Sequence, residues 1–389
     1  TTAAQRAQKL DFFKTKQHGD YIMSILRKQR TTDDYITRLE VEPANTKKGK
    51  LSAVRKFQTF CKVHHNTTPD ELCRELSVIK KQDEEEYLNT LYDILQALIT
   101  EFSKSLNPNS LKTIFTHIRS YIYYFGIKTD PQDISQLLTF PRIQKEEKYP
   151  LKHSDLLKIV TEHTRNPVRQ ALYLACSSSG MRVGEAVQIT KSDLEFKERI
   201  QVNIRPEYTK TQTGRSVFIS KECQKILESY IDDLKNNDPV FFKNSETKVG
   251  SRVCNEDARL SECLKRLRLD MRYSSSRIHK ITSHSFRAFF FTQAVRKHGE
   301  NYAHRLTGHG GYLIQYDRMN DEEKLKMYIE LEPELVIFDT SKQQLEIENL
   351  KIQQSKEIQA MKNEMEQMKL QLAQQGIDIL EKLKSENKL

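Results

Sequence analysis

Over the first 145 positions the apolar residues recur at helical spacing. The recurrence stops at residues 141–150 (PRIQKEEKYP), a polar stretch with a proline at each end and no apolar period. A chain patterned this way cannot close around one continuous core. It has to build a unit from helices alone, cross a linker, and then build something of another texture. Within 52–64 the apolar positions are Val54, Phe57, Phe60 and Cys61, and within 87–102 they are Leu88, Leu91, Ile94, Leu95 and Leu98. Residues 111–125 follow with Ile114, Ile118, Ile122 and Phe125, after a turn and helix start at Asn107-Pro108.

Beyond the linker the pattern predicts helices over 154–163, 167–178, 221–234, 256–267 and 283–297. The second of these stops near Gly180, and the last is capped by Thr282 or Ser283. Alternation over 199–205 and 216–220 predicts two strands joined by a hairpin turn at 209–214. The expected fold is therefore α-rich and multidomain. An all-helical unit (1–145) is followed by a mixed α+β unit with a small antiparallel sheet (146–335) and a helical tail (336–389). In the tail, Ile358, Met361, Met365, Met368 and Leu372 step by 3, 4, 3, 4, the spacing of a coiled-coil seam.

Composition narrows the function. With 12 glycines in 389 residues, a Gly-rich phosphate loop is not expected. No run approaches the roughly 20 apolar residues of a membrane span, and residues 1–16 lack the apolar core of a signal peptide. A cytoplasmic, nucleoid-associated location is the expectation. The six cysteines form no CxxC pair, and the spacing of Cys61, His64, His65 and Cys73 is irregular for zinc, so reduced thiols and no metal or cofactor are expected. The net charge is +10, with 23 Lys and Arg against 17 Asp and Glu in 1–145, 32 against 27 in 146–335, and 8 against 9 in the tail. Both units are basic, which suits a polyanion partner but also an ordinary solvated helical surface. Double-stranded DNA is the expected partner. Its candidate contacts are the clusters Arg27, Lys28, Arg30 and Lys47, Lys48, Lys50, with Arg55, Arg205 and Arg215.

Six residues, in the order Arg182, Lys210, His284, Arg287, His309 and Tyr316, carry the chemistry. Transfer of a phosphodiester to a tyrosine needs fixed donors for the non-bridging oxygens, an acid for the leaving oxygen and a base for the attacking hydroxyl. Arginine suits the first task, because its planar fork binds phosphate at two points and stays charged. Arg182 lies in SSGMRVGEA just after a helix stop, with Glu185 one turn on to orient it. Lys210 lies near the tip of the predicted hairpin. His284 and Arg287, three apart, share one face at a helix start, where the dipole favours an anion. His309 occupies a Gly-His-Gly-Gly turn, with Tyr312 and Tyr316 following at +3 and +7. Taken singly, each motif also fits an ordinary surface pair or turn; their joint occurrence in one order separates them from that background.

From about residue 149 to 337 the chain resembles the catalytic domain of the tyrosine recombinase (phage-integrase) family. SSGMRVGEA is similar to its first-arginine box, HSFR to its His-x-x-Arg box, and LTGHGGYLIQY to its Gly-His and nucleophile region. The compact layout is closest to integrases of archaeal mobile elements. The resemblance implies that Arg182 and Arg287 clamp the scissile phosphate, that Lys210 is the general acid, that His284 and His309 assist, and that Tyr316 is the nucleophile. It also implies a core-binding domain in 1–145 closing a clamp round DNA, and a homotetramer on two DNA sites. Phe286 replaces the usual leucine, and the gap from His309 to Tyr316 is about two residues shorter than usual, which leaves Tyr312 as the rival nucleophile. A site-specific recombinase acting in mobile-element integration and excision is the leading expectation. A non-cleaving DNA-binding regulator on the same fold, an Xer-type chromosome resolvase and a type IB topoisomerase remain alternatives.

Overall fold

The computed structural model describes residues 30–143, 146–163, 165–242, 247–274, 278–308 and 319–386. Two compact units divide the chain, Thr1–Lys145 and Glu146–Leu389.

The first unit is helical throughout its described residues: α1 (Thr32–Arg38), α2 (Ala44–His65), α3 (Pro69–Gln82), α4 (Glu84–Ser103), α5 (Pro108–Tyr124) and α6 (Pro131–Leu137). The starts follow from local chemistry. Thr31 and Thr68 each form a capping box with the acid three residues on, and α3, α5 and α6 begin with proline, whose missing N–H would have had no helical partner. The core gathers the periodic apolar residues, among them Phe57, Phe60, Leu95, Leu98 and Ile118. Tyr121 is fully buried there and keeps its hydroxyl satisfied by Thr32 Oγ1 at 2.6 Å and Asp70 Oδ1 at 3.1 Å. That single side chain thereby ties α1 and α3 to α5.

The second unit holds α7 (His153–Thr161), α8 (Pro167–Ser179), α9 (Val183–Ala186), β1 (Leu194–Phe196), β2 (Ile200–Ile204), β3 (Arg215–Phe218), α10 (Lys221–Glu228), α11 (Val249–Arg266), α12 (Ser283–His298), α13 (Glu300–Thr307), α14 (Asp321–Leu331) and α15 (Asp339–Glu386). The sheet is antiparallel in the order β1-β2-β3, with Val202 opposite both Leu194 and Val217. This α-rich architecture with a small antiparallel sheet is the one the sequence implied. β1 was not foreseen, since three residues are too short to show alternation.

Two helix limits differ from expectation. α10 ends at Glu228 rather than 234, because the following chain turns back to pair with the segment before β1. Lys191 N donates to Asp238 O at 3.1 Å, Ser192 N to Asn236 O at 2.9 Å, and Val240 N to Ile189 O at 2.9 Å. α11 begins at Val249 rather than 256. Its first turns hide a buried arginine, Arg252, whose Nη1 donates to Val187 O at 2.8 Å, so the apolar period is interrupted there.

Helix α8 runs through the middle of the core. Every residue from Gln170 to Ser179 is buried. The three serines at its end are tolerated because each hydroxyl bonds back to the helix: Ser177 to Leu174 O at 3.1 Å, Ser178 to Leu174 O at 2.7 Å and Ser179 to Ala175 O at 2.6 Å. Elsewhere in the core, Arg199 Nε meets Glu332 Oε2 at 2.6 Å with both side chains at most 2% exposed, and Glu332 Oε1 also accepts from Lys221 N at 2.7 Å. Glu332→Gln leaves the buried Arg199 with only the exposed Glu198, 3.8 Å away, as a counter-charge and is expected to destabilise this unit by about 3 kcal/mol. The check is a urea titration, in which the midpoint should fall while the slope stays unchanged.

The tail is not a separate compact unit; it belongs to the second. Leu345 is buried, Lys225 Nζ reaches Gln344 Oε1 at 2.9 Å, and Lys221 Nζ meets Glu348 Oε2 at 2.5 Å, so the first turns of α15 are docked on α10. Among the described residues no helix is long and apolar enough to cross a membrane.

Candidate active site

The site forms where α8 ends. Gly180 takes the left-handed conformation (φ 70°) that caps α8. A Cβ there would come within 2.5 Å of Phe290 Cδ1 and 2.9 Å of Thr307 Cγ2. Only glycine lets the end of α8 approach α12 and α13 this closely, and the approach delivers the Gly180 carbonyl to Arg287. Arg287 is 1% exposed; its Nη1 donates to Gly180 O at 2.6 Å and its Nη2 donates to Thr307 O. Burial, and next the neighbouring Arg182, push the Arg287 guanidinium down to about 9, which leaves it charged at neutral pH.

Arg182 caps the short helix α9, half-buried. Its Nη1 donates to Glu185 Oε1 at 2.8 Å and its backbone N to Glu185 Oε2 at 2.9 Å. Glu185 is 2% exposed and also accepts from Arg215 Nη2 at 2.6 Å. Burial alone would raise the Glu185 carboxyl, but Arg215 and then Arg182 overrule it and hold the group below its ordinary value. His284 stands in the first turn of α12. Desolvation, and then the fields of Arg287 and Arg182, lower its imidazole below its ordinary value, so it is neutral at pH 7. Arg182, His284 and Arg287 therefore lie within electrostatic reach of one another. Three guanidinium groups, those of Arg182, Arg215 and Arg287, face one carboxylate. The surplus of positive charge, beside the N–H groups opening α12, is an environment that favours an anion.

The remaining expected residues fall differently. Lys210 is exposed in the connection from β2 to β3, a span that opens with the 3-10 turn Pro206–Tyr208, so the loop is longer than the predicted 209–214. His309, Tyr316 and the rival Tyr312 lie outside the described residues, as do Arg27 and Lys28. Arg205 is committed to Asp193 at 2.6 Å and Ser192 at 3.2 Å. Arg215, expected as a phosphate contact, is instead a largely buried clip. Besides Glu185 it donates from Nε to Leu306 O at 2.7 Å, joining α9 to the end of α13. A Cβ on Gly308 (φ 65°) would lie 2.9 Å from Arg215 Nη1, so the residue before His309 rests on this arginine. Only its place two residues before Val217, on the strand after the lysine loop, hinted at an inward role. In the first unit, Lys47 pairs with Glu40 at 2.6 Å and Lys50 with Glu42 at 2.5 Å, and Arg30 covers the Tyr124 ring at 5.1 Å. Lys48 and Arg55 are exposed.

Among the described residues, the second unit thus combines helices and a three-stranded antiparallel sheet with Arg182 and the His284–Arg287 pair brought together. Residues 150–310 match the phage integrase family, the tyrosine recombinases. Over 216 residues the chain is 24% identical to the Sinorhizobium fredii protein "Putative integrase/recombinase y4qK", covering 55% of this chain and 60% of that relative's length. Among solved structures, it is similar to XerA recombinase (20% identity, 77% of this chain and 98% of the other, TM-score 0.35). It is also similar to the Tn1549 transposon integrase in complex with transposon right end DNA (15% identity, 70% and 97%, TM-score 0.44).

Proposed function

We propose that the protein is a site-specific DNA recombinase that cuts and rejoins strands through a 3′-phosphotyrosyl intermediate. The observation that carries the reading is the buried surplus of positive charge formed by Arg182, Arg215 and Arg287 around the single carboxylate Glu185, with His284 beside it. A phosphodiester is the anion that DNA would bring to it. Arg182 and Arg287 hold the two non-bridging oxygens as they gain charge. The Tyr316 hydroxyl attacks phosphorus, the bond from phosphorus to the 5′-oxygen breaks, and Lys210 gives its proton to that oxygen. The proton leaving Tyr316 is taken up with help from His309 or His284, and a 5′-hydroxyl from a partner strand reverses the sequence. Because the link conserves the bond energy, the reaction needs neither ATP nor a cofactor. The first unit, with Lys48 and Arg55 exposed on α2, contributes DNA contacts, and a homotetramer on two DNA sites carries out exchange. Integration and excision of a mobile element are the biological roles that this chemistry suits.

The test is a suicide substrate that loses its 5′-hydroxyl fragment after cleavage. The parent chain should accumulate a covalent DNA adduct, Tyr312→Phe should do the same, and Tyr316→Phe should form none. An adduct with Tyr316→Phe would transfer the nucleophile to Tyr312. No adduct from the parent on its own site would leave a DNA-binding regulator.

A further inference from the structure

Helix α15 continues for 48 residues from Asp339 to Glu386, far past the turns that dock it on α10. Beyond them, one face carries Ile358, Met365, Leu372 and Ile379 at the a positions of a heptad and Met361 and Met368 at the d positions. All six are exposed, between 54% and 67%. They form a stripe about 30 Å long, broken only at the third d position by Gln375, which water would be expected to destabilise in an isolated helix. We propose that residues 354–382 pair with the same segment of a second copy of this chain as a parallel, in-register, two-stranded coiled coil.

The charges flanking the stripe choose this occupant. The g positions carry Glu357 and Glu364, and the e positions carry Lys362 and Lys369. In a parallel pair a g residue faces the e residue five places on in the partner helix. Glu357 then meets Lys362 of the second copy and Glu364 meets its Lys369, and symmetry makes four attractive contacts. Five residues is the wrong spacing for a pair within one helix, so Glu357 and Glu364 reach these lysines only across two helices, while Glu366 stands four after Lys362 and three before Lys369 on its own helix. An antiparallel pair would instead set g against g and e against e, placing glutamate on glutamate and lysine on lysine. The pattern therefore favours self-association and fixes both direction and register. It does not depend on the reaction proposed above.

The test uses the full chain without DNA. In a Cys254→Ser background, which removes the exposed thiol and leaves the five buried ones, Met361→Cys should oxidise to a disulfide-linked dimer, since in-register d positions face each other. Light scattering on the parent at tens of micromolar should give the mass of a dimer. Lys362→Glu with Lys369→Glu should weaken association about a hundredfold, four attractions having become four repulsions. Mixing that variant with Glu357→Lys plus Glu364→Lys should restore the dimer. Three results would each overturn the proposal: a monomeric parent, a charge variant that associates as tightly as the parent, or faster cross-linking of Met361→Cys with Leu372→Cys than with itself, as an antiparallel pair would give.

Discussion

Arg287→Ala is expected to slow strand cleavage by about a thousandfold, the upper range for losing one donor to a developing oxyanion. The physical reason is pre-organisation. The guanidinium is held by the carbonyls of Gly180 and Thr307, so it does not reorient when the phosphate arrives. The same two bonds predict a second effect, because alanine leaves both carbonyls in the interior without that donor and opens a cavity. About 3 kcal/mol of stability should be lost. Arg287→Lys separates the two effects, since it keeps a charge and most of the volume but presents one point where the fork presented two. It should remain folded at the assay temperature and still lose about a hundredfold in rate. Single-turnover cleavage of the suicide substrate, with thermal unfolding run in parallel, checks both. A folded Arg287→Lys that cleaves within tenfold of the parent would remove this side chain from the transition state.

Glu185→Gln should destabilise the second unit by about 3–5 kcal/mol, the range for taking one partner from a buried ion pair. Here a single carboxylate serves two cations, Arg182 at 2.8 Å and Arg215 at 2.6 Å. Its removal leaves three guanidinium groups without their counter-charge. Because the folded-state value of Glu185 lies below the ordinary 4.5, its contribution is complete above pH 4.5 and is lost as the pH falls through the folded value. The difference between parent and variant should therefore be full at pH 7 and shrink in acid. Denaturant titrations at pH 7 and at pH 3.5 measure it. An equal difference at the two values would mean that the lost stability came from packing and not from charge.

Much of this fold is legible residue by residue. Helix starts at Thr31, Thr68, Asn107 and Thr282 follow from side chains that bond to amides within three residues, and the stop at Gly180 follows from its left-handed backbone. These are local interactions, so local sequence reports them. The end of α10 and the start of α11 were misplaced for the opposite reason. The first depends on pairing with residues near 190, and the second on a buried arginine bonded to Val187 O, some 65 residues away in the chain.

The site divides along the same line. That arginines at 182 and 287, a histidine at 284, a lysine at 210 and tyrosines after 309 suit phosphate chemistry is an expectation the sequence raises, because residue type and order limit what the side chains can do. The helix through 358–372 was readable for the same reason, since the spacing of its apolar residues is a property of the chain itself. Which arginine stays open to solvent and which one is buried as a brace was decided only by tertiary structure. Arg182 and Arg215 are equally basic in sequence. Folding buries Arg215 between Glu185 and the Leu306 carbonyl while Arg182 keeps 31% of its side chain open to solvent. Charge is written in one residue, but desolvation depends on every neighbour that the fold brings against it.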